Sequence, residues 1–153
     1  MSEKDCCNKK QESTSNEAPK PNCSCGGTAR IVLVCSGGSN VGQMTNEAGK
    51  ILTINKEAKL SCLAGVGGHL SGFVATAKGA DKLLVLDGCS LGCAKACVDK
   101  AGVENYSHLV LTELGIEKKP VFEWPEETME MVLDKCRGLL KEDANCLEGE
   151  TVV

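Results

Sequence analysis

Short runs of consecutive aliphatic side chains, separated by helical segments, most constrain this chain. Ile31-Val32-Leu33-Val34, Leu83-Leu84-Val85-Leu86 and Leu109-Val110-Leu111 lack the apolar–polar alternation of a strand with one wet face. Such runs fit strands buried on both sides, as in a parallel sheet covered by helices. Lys59-Leu60-Ser61-Cys62-Leu63-Ala64 reads as a further strand, second in chain order, and His108 through Thr112 frames the fourth.

Helical spacing fills the intervals. Val41, Met44, Ala48, Ile51 and Leu52 mark a first helix, and Leu70, Phe73, Val74 and Ala77 a second. A third is expected from Ser90 to Ala101, ended by Gly102. Pro125 opens a fourth, with an apolar stripe of Met129, Val132, Leu133, Cys136, Leu139 and Leu140. The order β-α-β-α-β-α-β-α predicts an α/β fold, a Rossmann-like three-layer sandwich around a mostly parallel four-stranded sheet.

The chain's 153 residues suit one domain with tails. Residues 1–28 are rich in Lys, Glu, Ser, Asn and Pro, and read as a disordered tail carrying Cys6, Cys7, Cys23 and Cys25. The domain is expected over 29–143, with a polar C-terminal tail over 144–153 that holds Cys146. A net charge of −4 argues against a nucleic-acid partner, which needs a basic face. No apolar run approaches the roughly 20 residues of a membrane span. The hydrophilic start points to the cytoplasm.

Eleven cysteines are then the anomaly. In a reducing compartment they imply metal binding, thiol redox chemistry or simple packing, rather than disulfides. Open parallel sheets place their sites at the carboxyl ends of strands, near a switch in strand order. Cys35 ends the first strand, Cys62 lies near the end of the second, and Cys89 ends the third. Cys93 is four residues after Cys89, on one helix face with it. Cys97 is a further turn away, beyond the reach of one ion bound at Cys89, and is read as packing or as a resolving thiol. The metal ligands read from the sequence are Cys35, Cys62, Cys89 and Cys93, and four thiolates suit zinc better than an iron–sulfur cluster.

Three ordered motifs carry a resemblance. Cys35-Ser36-Gly37-Gly38-Ser39-Asn40-Val41-Gly42, Cys62-Leu63-Ala64-Gly65-Val66-Gly67-Gly68 and Asp87-Gly88-Cys89-Ser90-Leu91-Gly92-Cys93 resemble the DGC-domain family, from about residue 30 to 117. The resemblance implies zinc binding through the same four cysteines and brings no defined reaction.

Other features have plainer readings. A phosphatase-type loop would need arginine six positions after Cys35, where Val41 stands. Gly65-Val66-Gly67-Gly68 reads as a tight turn ahead of an anion cradle. His69 is a candidate ligand or second-sphere donor, or a solvated helix start. His108 reads as packing, and Asp87 as a turn former. Three functions follow: a closed zinc–thiolate protein in metal or metalloid handling; a thiol–disulfide oxidoreductase working with a thioredoxin-like partner; and an interaction module with structural zinc. The closed site argues against an enzyme.

Overall fold

The computed structural model describes residues 28–141. The expected tails, with Cys6, Cys7, Cys23, Cys25 and Cys146, lie outside the described residues. The elements are β1 (Arg30–Val34), α1 (Asn40–Ile54), β2 (Lys59–Leu60), α2 (Leu63–Gly67), α3 (Ser71–Lys78), β3 (Lys82–Asp87), α4 (Cys93–Lys100), β4 (Ser107–Val110), a 3-10 turn (Leu111–Leu114) and α5 (Glu126–Lys141).

The four strands are all parallel, in the order β2-β1-β3-β4. The chain therefore steps outward from β1 to β2, then crosses back to β3 and on to β4. The reversal falls between β1 and β3, which pair from Arg30↔Lys82 to Val34↔Leu86. That gap is the switch point of a doubly wound sheet.

The expectation of strands buried on both faces holds for the central β1 and β3, while the edge strands β2 and β4 are only partly buried. Val32, Val34, Leu84 and Leu86 enter one apolar core with α1 and α5. Ile31, Leu33, Leu83 and Val85 enter a second with Val66, Ala77, Ala94 and Val98. With period-two side chains, both faces need aliphatic residues, which is why no alternation appears. The last helix buries Met129, Val132, Leu133, Cys136 and Leu140. Burial first, and nearby Glu57, push the Cys136 thiol up to about 12, against a lowering pull from Arg137, so it is a packing residue as expected.

Some expectations need correction. The second strand is two residues long, not six, and Cys62 lies beyond it as the N-cap of α2. The glycine run is neither a turn nor an anion cradle: Gly65 and Gly67 are helical in α2. A Cβ on Gly65 would lie 2.4 Å from the Phe73 ring, so the position admits α3 close to α2. The second helix forms as α3, preceded by the unexpected short helix α2, and Leu70 (56% exposed) and Phe73 (37%) are not core. The third helix starts at Cys93 rather than Ser90, and the fourth strand ends at Val110 in a 3-10 turn. No described helix is long and apolar enough to cross a membrane.

Candidate functional site: thiols at the switch point

The site is built from close backbone contacts. Cys35 follows β1 directly, and its N–H donates to the carbonyl of Leu86 at 3.0 Å, extending the central ladder by one residue. Gly88 then donates its N–H to the Cys35 sulfur at 3.2 Å. Thr45 spends its hydroxyl proton on the Gly42 carbonyl at 2.7 Å. Its oxygen is thus left to accept from the Cys35 thiol, 3.6 Å away.

The glycines of the first and third motifs allow this approach. A Cβ on Gly88 would come within 2.8 Å of the Gly42 nitrogen and the Val41 carbonyl carbon. A Cβ on Gly42 would sit 2.5 Å from the Gly37 carbonyl oxygen. All of these neighbours are backbone and cannot move aside as a flexible side chain can. The loop after β3, the start of α1 and the loop after β1 are therefore stacked in direct backbone contact. Ser39 caps α1 by accepting from Gly42, and Gln43 holds the Ser36 and Gly37 carbonyls.

Asp87 has a larger role than a turn former. It is 1% exposed, and its two oxygens accept from the N–H groups of Ala94 (2.8 Å) and Lys95 (3.0 Å). It caps α4 from seven residues upstream, so that Gly92 serves as N-cap without a side-chain bond. His108 faces the same carboxylate, Nε2 to Oδ2 at 3.0 Å. The Asp-Gly-Cys run thus fixes the helix start that carries Cys93.

Around Cys93 the sulfurs gather. Burial first, then the charge of Asp87 and the neighbouring Cys35, Cys89 and Cys97 push its thiol up. Two of the other three ligand candidates, Cys35 and Cys89, thus lie within electrostatic range of Cys93, as does Cys97 on the next turn of α4. Cys62 stands after the edge strand β2, at the N-cap of α2. Its sulfur accepts from the Gly65 N–H at 3.4 Å and lines a cleft of about 580 Å3 beside β2, with Leu60, Leu70 and Phe73. His69 is an exposed left-handed residue (φ 56°) between α2 and α3.

Two further residues belong to the site. Lys118 donates from Nζ to the Cys89 sulfur at 3.3 Å. Asn40 grips the segment carrying it: Nδ2 donates to the Glu117 carbonyl at 2.9 Å, Oδ1 accepts from the Lys119 N–H at 2.7 Å, and its own N–H donates to the Lys119 carbonyl at 3.0 Å. The signal that could have found Asn40 is its place as an amide just before the apolar stripe of α1, and in the structure it is 6% exposed.

The donor chemistry fits a thiophilic ion, but the side chains now serve local hydrogen bonds. As they stand, no group of three or more His, Cys, Asp and Glu among the described residues is disposed to hold a metal ion.

A doubly wound parallel domain with thiols at its switch point is the class that fold and site define. The DGC domain model matches residues 31–136, and the chain belongs to that family. It is similar to the anaerobic and virulence modulator AnvM of Pseudomonas aeruginosa, 40% identical over 89 residues that cover 58% of this chain and 68% of AnvM. No solved structure matches the chain.

Proposed function

We propose that this chain binds a thiophilic metal ion, zinc in the simplest case, through Cys35, Cys89 and Cys93. The supporting observation is that backbone contacts bring the two loops and the helix start together: the Gly88 N–H, next to Cys89, donates to the Cys35 sulfur at 3.2 Å, and Asp87 fixes the helix start that carries Cys93. Binding asks the side chains to leave their present hydrogen bonds by rotation about χ1, and to release protons. Three protein ligands leave a fourth position for a ligand from outside, the pattern of ions that act on or hand over something rather than only brace a fold. Metal or metalloid handling in the cytoplasm follows as the biological reading. The name of AnvM places that relative in anaerobic and virulence control, a setting in which a thiol site sensitive to metal or redox state has a use.

The second reading, a thiol–disulfide oxidoreductase with a thioredoxin-like partner, draws support from the same cluster. Cys97 stands one helical turn from Cys93, where it is placed to resolve a mixed disulfide.

Elemental analysis and a free-thiol count on full-length protein purified under reducing conditions separate the two. About one zinc per chain supports the first. A metal-free protein that forms a disulfide among Cys35, Cys89, Cys93 and Cys97 and is reduced by thioredoxin replaces it with the second.

A further inference from the structure

The cations at the switch-point edge are not equivalent. Lys95 is paired with Asp99 at 2.6 Å, and Lys119 with Glu117 at 2.9 Å. The Asp87 carboxylate is taken up by the α4 N–H groups and His108. Lys118 has no carboxylate partner among the described residues, and its ammonium points at the Cys89 sulfur. Its placement is enforced, because Asn40 holds the backbone on both sides of it through Glu117 and Lys119. A positive charge without a carboxylate partner is therefore anchored by its backbone within reach of one thiol of the cluster. The arginine absent at Val41 leaves the loop after β1 without a cation of its own, and Lys118 supplies one from a different part of the chain.

We propose that Lys118 makes Cys89 selective for small anionic, thiol-reactive ligands, with Asn40 as the residue that positions it. The proposal rests on the reading of this cluster as the functional site, and it names the charge class of what approaches its Cys89 thiol. A neutral or cationic species gains nothing from Lys118, whereas an anion approaching the sulfur meets an ammonium a few ångströms away. In a solvent-exposed setting such a charge changes an encounter by a few-fold, and salt screens it.

The test compares two alkylating probes of similar size, iodoacetate and iodoacetamide, on full-length metal-free protein. In each case the Cys89 sulfur bonds the probe's methylene carbon, the carbon–iodine bond breaks, iodide leaves and the thiol proton passes to solvent. Mass spectrometry reads the iodoacetate-to-iodoacetamide rate ratio at Cys89, with the exposed Cys62 in the same molecule as internal reference. Lys118→Ala should lower that ratio about three- to fivefold. Lys118→Arg should keep it within about twofold, and Asn40→Ala should shift it in the direction of Lys118→Ala. About 0.5 M KCl should bring the unmodified protein toward the Lys118→Ala value. A ratio unchanged in Lys118→Ala, or one that changes equally at Cys62, would overturn the proposal. A shift in Lys118→Ala without one in Asn40→Ala would remove Asn40 from it. Because the readout is Cys89 reactivity without metal, a chain that binds no zinc can still pass, and a zinc-binding chain can still fail.

Discussion

Cys35 and Cys62 both follow strands of one parallel sheet, and they end in different places. Cys35 leaves β1 at the centre, where β3 runs alongside for five paired residues and the next backbone segments touch. Cys62 leaves β2 at the outer edge, where the ladder is only two pairs long, and turns at once into a short helix on the face that holds Val66 and Ala77. The centre is held by backbone against backbone, with glycines where a side chain would intrude. The outer edge is held by side chains, including Arg137, which reaches from α5 to Glu57 in the connection from α1 to β2 at 2.8 and 3.1 Å. The difference teaches that a cysteine after a strand joins a cluster only where strand length and loop contact carry it to the switch point.

The largest effect should come from breaking the central contact. Gly88→Ala places a methyl against the backbone of Val41 and Gly42 and should destabilise the fold by about 2–4 kcal/mol in chemical denaturation. Gly138→Ala, in the exposed interior of α5 with nothing within 4 Å of the new carbon, should instead stabilise by about 0.5–1 kcal/mol. A Gly88→Ala protein as stable as the unaltered one would mean the stacked loops are looser than described.

The two helix caps give a smaller, sharper contrast. Asp87→Asn keeps the shape but removes the charge that serves two α4 N–H groups and His108, and should cost about 1–2 kcal/mol. Cys62→Ser replaces one capping side chain by a better one and should change stability by less than about 0.5 kcal/mol. Equal losses would erase the distinction between the two edges.

The outer edge makes the smallest prediction, in its pH dependence. The side-chain bonds from Arg137 hold the Glu57 carboxyl below its ordinary value, outweighing its partial burial. A lowered folded-state pKa gives stability that is fully present above the ordinary carboxylate range and is lost as pH falls through the folded value. Arg137→Ala should therefore cost about 0.5–1 kcal/mol at pH 7, and its melting curve should converge on that of the unaltered protein below about pH 4. A constant gap down to pH 3 would contradict this.

Sheet class and layer order were legible because burial on both faces writes itself as uninterrupted aliphatic runs, as in Leu83 to Leu86. The apolar stripe of α5 was legible for the same reason. The fate of Cys62 was not: Leu63 and Ala64 suit a strand or a helix, and the short β2 ladder leaves Cys62 at the helix cap. Gly65 looked like a turn former because its use, admitting the Phe73 ring, is a contact eight residues away in sequence. Asp87 and Lys118 act at separations of seven and 29 residues, through atoms that no local pattern brings together. Cys35 and Cys89 were legible as strand-end residues, whereas the shared helix face expected for Cys89 and Cys93 does not form, because α4 starts at Cys93 behind the left-handed Gly92 and leaves Cys89 in the loop.

The central claim is that the switch-point thiols, not the strand-end cysteines as a set, hold the ion. The direct measurement is zinc affinity by competition with a chromophoric chelator for Cys93→Ser and Cys62→Ser in the full-length chain. Both variants should retain the fold, so circular dichroism serves as the control. Cys93→Ser should lose at least about 100-fold in affinity, more than the loss of an outer-sphere partner, while Cys62→Ser stays within about threefold of the unaltered protein. Equal losses in the two variants would return Cys62 to the ligand set and contradict the account.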